Sequence, residues 1–412
     1  MKQRITLPLA LILLLILAAC GGSPADGEGP ASLESDRTFS RSRILACEAE
    51  NVVYAVVRDS AARDSSDFLF DMLYYFDRET GISGPLCGKP ECLHNDRSCN
   101  AHLGNSGVYA LASCNGQLYW ITMGNGPGLT NIGHLYSENY DGTDRQLVRD
   151  LDDGIFGASR PTAVHFHRGY VYVISQPGEI VNGERQYRNR IAAYPIDSGE
   201  EGFVVLDEEV GFSSINAQLY GDSMFILTID KSENSYPFTF RKWNTETHEM
   251  ETLFDGAPSF SPGNDFWATD EGIYLEGTVI GSHTVDAGGN DAWERNVYFY
   301  NFSTGEFETR FPFDTGSGGI NCGFTGDLFV VRIRDEKDKK FRFMALDLEG
   351  QIIFETSCGT DNGPMGIYDP LYFAGADENN LYFYNADTFT CPYLAVIPLD
   401  GGEPVIVWNG EM

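Results

Sequence analysis

Between Cys87 and His102, three thiols and two imidazoles fall within sixteen residues, in the run Cys87-Gly-Lys-Pro-Glu-Cys92-Leu-His94-Asn-Asp-Arg-Ser-Cys99-Asn-Ala-His102. Thiolate sulfur and neutral imidazole nitrogen are the donors that hold zinc in a tetrahedron, and Cys87, Cys92 and Cys99 with either His94 or His102 supply four of them. The paired Cys-x-x-Cys of most zinc knuckles is missing. A disulfide between two of the three cysteines is therefore the first reading, zinc the second and free thiols the third. A tie of some kind is required in any case, because a loop of Gly, Pro, Asn, Asp and Arg has little apolar surface to offset the entropy of ordering it. None of these states is catalytic by itself.

Other reactive residues are more scattered. Cys358 and Cys391 sit near the ends of predicted strands in the last two repeats described below and form a second candidate disulfide. Cys47, Cys114 and Cys322 each precede an aromatic strand and read as small buried hydrophobes. His165 and His167 are two apart on a predicted innermost strand, so their side chains point to one side; either they meet a metal in a central channel or, the ordinary reading, they are packed. The sequence holds no Gly-x-Ser-x-Gly elbow, no His-Glu-x-x-His, no phosphate-cradling glycine loop and no repeated aspartate box. With 60 acidic residues, no carboxylate pair stands out from the rest.

The elements that must position these residues show themselves as a repeat. NVVYAVV, GQLYWIT, GYVYVIS, DSMFILT, EGIYLEG, GDLFVVR and NNLYFYN share a central aromatic: Tyr54, Tyr119, Tyr172, Phe225, Tyr274, Phe329 and Tyr382. Their separations are 65, 53, 53, 49, 55 and 53 residues, a period that helices or a doubly wound sheet would not produce. A shorter apolar segment precedes each one, and two further strands follow around a turn of Asp, Asn, Ser or Gly, residues that accept hairpin geometry. Four strands per unit and seven units predict an all-β chain folded as a β-propeller of seven four-stranded blades. The extra length in the first step is the Cys and His insert, predicted to lie in the connection from the outer strand of the first blade to the inner strand of the second. That connection belongs to the face where ligands dock. The strands at Ile44 and at Val405-Ile406-Val407 are expected to close the ring.

The N-terminus reads differently. Lys2 and Arg4 precede the apolar run Leu7 to Leu17, which has the length of a signal-peptide core, and Leu17-Ala18-Ala19-Cys20 resembles a lipobox. Residues 1–19 are then a signal peptide, Cys20 the lipid-bearing residue, 20–40 a flexible tether, and 41–412 the propeller carrying the insert at 87–102. This predicts an extracytoplasmic protein held to the cell membrane by its N-terminal lipid. The strand pattern is similar to YWTD-type and other secreted propeller repeats, most clearly at Leu118-Tyr119-Trp120-Ile121-Thr122. The Cys-x-Lys-Pro-x-Cys-x-His insert resembles one found in uncharacterised bacterial lipoprotein propellers. The resemblance spans nearly all of 41–410; it implies fold and location, and no activity.

A net charge of −32 argues against nucleic acid as a partner and against flat adsorption on an anionic surface. With no catalytic motif, the expected role is a non-enzymatic binding or scaffolding module for a protein, peptide or glycan. Two alternatives stand beside it: a polysaccharide-active or redox enzyme with its site at the channel mouth, and an envelope-assembly component.

Overall fold

Each of the seven repeat aromatics lies in the second strand of its own antiparallel sheet in the computed structural model. The described residues are Thr38 and 45–408, less 50, 64–68, 95–97, 105–106, 126–130, 152–160, 182–183, 197–198, 233–234, 286–290, 313–319, 325–326, 336–339, 359–370, 377–378 and 386–392. Among them strands are the only regular elements, and no helix is long and apolar enough to cross a membrane. The seven sheets are the blades of a β-propeller.

Blade 4 shows why these sequences form such sheets. Its strands follow in spatial order Ser213–Tyr220, Ser223–Asp230, Phe238–Asn244 and Met250–Gly256. The second is buried at every position but its last. Alternate side chains serve two seams: Met224 and Ile226 pack with Tyr172 and Ile174 of blade 3, while Phe225, Leu227 and Ile229 pack with Phe260 and Phe266 of blade 5. A strand covered on both faces is apolar at most positions, with Ser223 and Thr228 the buried exceptions here, and each large side chain so buried contributes roughly 1.5–3 kcal/mol. The outermost strand, Met250–Gly256, is mostly exposed because the blades splay towards the rim.

The first strands of the blades line the axis: Ala46–Ala49, Val108–Cys114, Pro161–His167, Ser213–Tyr220, Phe260–Ala268, Ile320–Phe324 and Leu371–Ala376. No sheet mixes strands from the two chain ends. Blade 7 is built from Leu371–Ala376, Asn380–Asn385, Tyr393–Pro398 and Val405–Trp408 alone, and blade 1 starts from Ala46–Ala49. Among the described residues, which leave out Ile44, the first and last strands therefore belong to separate sheets, and side chains join blades 1 and 7. Ala46, Val53, Ala55 and Phe76 pack against Tyr382 and Leu394, and the Arg78 guanidinium lies 5.1 Å from the centroid of the Tyr382 ring.

Thr38 docks on the edge of the innermost strand of blade 4 that faces away from its sheet partner. Its N–H donates to Leu219 O (2.9 Å), and its hydroxyl accepts from the Leu219 N–H (2.9 Å). Gln218, fully buried, donates from Nε2 to Thr38 O (2.8 Å) and accepts at Oε1 from the Ala268 N–H of blade 5 (2.7 Å). Gln218→Ala takes away both partners at once and leaves a cavity, so a loss of about 2–3 kcal/mol is expected in urea unfolding. A loss below 0.5 kcal/mol would mean that the bridge is dispensable.

Candidate metal centre

The fourth strand of blade 1 is cut in two. The third strand, Leu69–Asp77, pairs first with Ser83–Pro85 (Tyr74 opposite Pro85) and then with His102–Gly104 (Met72 opposite His102). Leu73 serves both ends of the break: its N–H donates to Ala101 O (2.7 Å) and its carbonyl accepts from the Leu86 N–H (2.8 Å). Residues 87–100 are thus an excursion from the middle of a strand, with both ends pinned at a single residue. This corrects the expected position. The insert is not in the connection between blades, because the free edge of the third strand recruits the chain again on the far side of the loop.

Within the excursion, the donor atoms of Cys87, Cys92, His94 and Cys99 lie within 4.8 Å of one another. His94 Nδ1 is 3.3 Å from Cys99 Sγ. His94 holds a left-handed backbone (φ 56°), a conformation that costs a non-glycine residue energy, and this conformation aims the imidazole at the sulfurs. His102, the other candidate ligand, lies instead in the resumed strand, outside the donor group. Cys87, Cys92 and Cys99 are free thiols, as are Cys47 and Cys114.

Backbone amides point at the sulfurs. The Ala101 N–H donates to Cys99 Sγ (3.3 Å), and the N–H groups of Lys89 and Asn100 donate to Cys87. Burial works against the Cys87 thiolate, yet these donors and the neighbouring thiols bring its pKa below the ordinary thiol value. Burial dominates at Cys99 and pushes its thiol up to about 12. Cys99 and Ala101 pack with Val57, Met72 and Tyr74 on the face of blade 1, flanked by Cys87 and Cys92. Three sulfurs and one imidazole nitrogen make up a full tetrahedral donor set, which suits a cation held for structure more than one that must bind substrate.

Blade 2 grips the same loop. Arg145 donates to the carbonyls of Asn100 and His102, and its Nε donates to Glu138 Oε2 (2.6 Å). Its guanidinium lies 5.0 Å from the centroid of the Trp120 ring. Asn100 Nδ2 donates to Gly142 O (2.6 Å). Gly142 needs its glycine twice: φ is +75°, and a Cβ would stand 2.9 Å from Leu86 O. Glu138 is fully buried and its Oε1 has no hydrogen-bond partner; burial raises its carboxyl to about 7, with Arg145 pulling the other way. Nothing local in the sequence marks Arg145 or Glu138, which lie some forty residues from the loop they hold.

The remaining candidates divide. His165 and His167 do share one side, as their spacing predicts, but that side faces the seam with blade 4, where Ala163 packs with Ile215 and Ala217. His167 Nε2 lies 2.7 Å from Gly221 O. Both ring nitrogens of His165 are buried without a partner, and burial, then His167, lowers its pKa to about 4, so the ring is neutral. Among the described residues neither belongs to a group of three or more metal donors. Cys47 is packed, and burial pushes its thiol upward; Cys114 packs at the edge of the core between blades 2 and 3. Cys20, Cys391 and the side chains of Cys322 and Cys358 lie outside the described residues.

No protein-family model and no curated protein matches the sequence. Solved structures do match. A prolyl endopeptidase shares 13% identity at a TM-score of 0.54, covering 93% of this chain and 52% of that one. The acylaminoacyl peptidase of Pyrococcus horikoshii shares 12% at 0.54, covering 92% and 53%. The β-propeller domain of the trilobed protease from Pyrococcus furiosus, which has an open velcro topology, shares 10% at 0.50, covering 91% and 99%. This chain spans about half the length of the first two, and at such identities the likeness shows the fold. These propellers nonetheless belong to enzymes, and the expectation of a non-enzymatic binding or scaffolding module is corrected accordingly. That expectation leaned on missing contiguous motifs, a weak guide in a propeller, where residues from blades about 53 positions apart meet at one rim.

Proposed function

We propose that this chain is an extracytoplasmic enzyme that acts on a polymer at a mouth of the propeller channel, with peptide as the first substrate class. The observation that carries this reading is that its fold neighbours at TM-scores of 0.50 to 0.54 are a prolyl endopeptidase, an acylaminoacyl peptidase and a protease propeller. The sequence carries no serine elbow, so cleavage would fall to another catalytic group. Polysaccharide is the second substrate class. Redox chemistry at the channel mouth gains no support from the described thiol cluster, which sits on an outermost strand.

Two further parts complete the proposal. The apolar run and the lipobox-like Leu17-Ala18-Ala19-Cys20 support export, lipidation at Cys20 and anchoring at the outer face of a membrane. The Cys87, Cys92, His94 and Cys99 group would hold zinc as a clasp: three sulfurs and one nitrogen suit a closed tetrahedron, and the amide donors to Cys87 and Cys99 favour thiolate.

The mature chain, purified in detergent, is expected to cleave at least one member of a quenched-peptide library, with mass spectrometry locating the bond. Failure on peptides and on an oligosaccharide panel alike would overturn the enzymatic reading. Cys20→Ser is expected to move the protein from the membrane to the soluble fraction. Palmitate labelling that persists in this variant would sink the lipoprotein reading.

A further inference from the structure

Next to the cluster, on the seam between blades 1 and 2, lies a cavity of about 340 Å³. Tyr54 and Tyr75 come from blade 1 and Tyr140 from the turn of blade 2; Cys87 borders the side next to the metal loop, and Asp77 and Asp141 stand on opposite sides of the seam. Among the described residues no lysine or arginine lines it.

The walls are fixed before any ligand arrives. The rings of Tyr54 and Tyr140 stack at 5.7 Å and 22°. The Tyr54 hydroxyl donates to Tyr140 O (3.2 Å), and the Tyr140 hydroxyl is 2.6 Å from Ser113 Oγ. Each carboxylate is held by its own turn through Oδ1: Asp77 accepts from the N–H of Glu79 (2.9 Å) and Thr80 (3.2 Å), Asp141 from the N–H of Thr143 (3.0 Å).

Electrostatics select the occupant. Aromatic faces present negative charge density, and two carboxylates in a lining without Lys or Arg add to it, so an anion is repelled. A neutral sugar could stack but would leave both charges unused. A bare metal ion would find the two carboxylates on separate turns and outside the metal-donor group. An organic cation uses both features, and the volume accommodates a side chain.

We propose that this cavity binds the guanidinium or ammonium head of an arginine- or lysine-containing peptide, with the metal loop as one wall. The wall rests on the zinc reading above; the cation preference does not.

The probes are N-acetyl-arginine amide and its uncharged isostere N-acetyl-citrulline amide, titrated calorimetrically into the mature chain with and without zinc. The arginine probe is expected to bind roughly tenfold tighter than the citrulline probe, from one cation–π contact and partly exposed ion pairs. Asp77→Asn and Asp141→Asn keep the Oδ1 acceptor of each turn while removing the charge, so each should weaken the arginine probe about threefold while the chain stays folded by circular dichroism. Equal affinity for both probes, or no binding by the zinc-loaded protein, overturns the cavity proposal. Arginine binding by a protein that takes up no zinc overturns the metal reading and leaves the cavity standing.

Discussion

At pH 8, where Glu138 is ionised, Arg145→Ala is expected to cost about 3–5 kcal/mol of folding stability, the range for removing one partner of a buried ion pair. Glu138 is fully buried, and Arg145 is its charged partner at 2.6 Å. The same side chain holds the carbonyls of Asn100 and His102, so its loss also frees the metal loop from blade 2. The pH dependence identifies the cause. In the folded chain Glu138 keeps its proton up to about pH 7, against 4.5 as the ordinary value. A raised folded pKa contributes stability that is fully present below pH 4.5 and is lost as pH climbs through 7, about 3 kcal/mol across that window. Without Arg145 the charged form loses its counterion, so the variant should be hurt more at pH 8 than at pH 5. Glu138→Gln in the Arg145→Ala background should recover much of the loss at pH 8. Urea unfolding of the unmodified chain and the two variants at both pH values measures this; a loss under 1 kcal/mol that is equal at pH 5 and pH 8 would show that the pair does not hold the seam.

His165 adds an opposing slope. Its pKa is lowered from 6.5 to about 4, so its contribution is present above pH 6.5 and is lost as pH falls through 4. The two windows overlap, and a shallow net profile in the unmodified chain would reflect cancellation.

Loading with zinc is the second large effect. One equivalent per chain is expected, falling to near zero in Cys99→Ser, which removes the sulfur at the centre of the cluster. With free zinc held a thousandfold above its Kd, binding adds about 4 kcal/mol to the folded state. In a ring of this size that is a rise of a few degrees in melting temperature. Uptake should release protons and weaken in acid, since the burial that pushes the Cys99 thiol up to about 12 must be overcome by the cation. Hydrogen exchange should slow most at the amides of Leu73 and Leu86, where the two ends of the loop are pinned. Mass decides against the competitor: a native chain two hydrogens lighter than its reduced form, with the bond mapped by peptide mass to Cys87, Cys92 or Cys99 and no metal bound, means a disulfide among these cysteines and ends the zinc reading.

The blades were legible because their cause is local. A strand between two seams must be apolar on both faces and must end in a turn, so Ser223–Asp230 and its six counterparts announce themselves at a regular period. The cluster was legible for a similar reason, as Cys87, Cys92, His94 and Cys99 are near neighbours in the chain. Which imidazole joins the sulfurs was not. His94 and His102 have equal claims by spacing, and the choice falls to the edge of Leu69–Asp77, which draws His102 into a strand. The same edge moved the insert from a connection to the middle of a strand. Arg145, Glu138, Gln218 and the meeting of Tyr54 with Tyr140 carried no signal, because each acts on a residue brought near by blade packing. Sequence by itself determined the repeat, the blade count, the donor types and the excess of negative charge, all properties of short stretches or of composition. Tertiary structure alone decided which seam each side chain faces, how the ring closes without mixing its first and last sheets, and which carboxylate is buried beside which cation, because those depend on distances between residues that the chain itself keeps far apart.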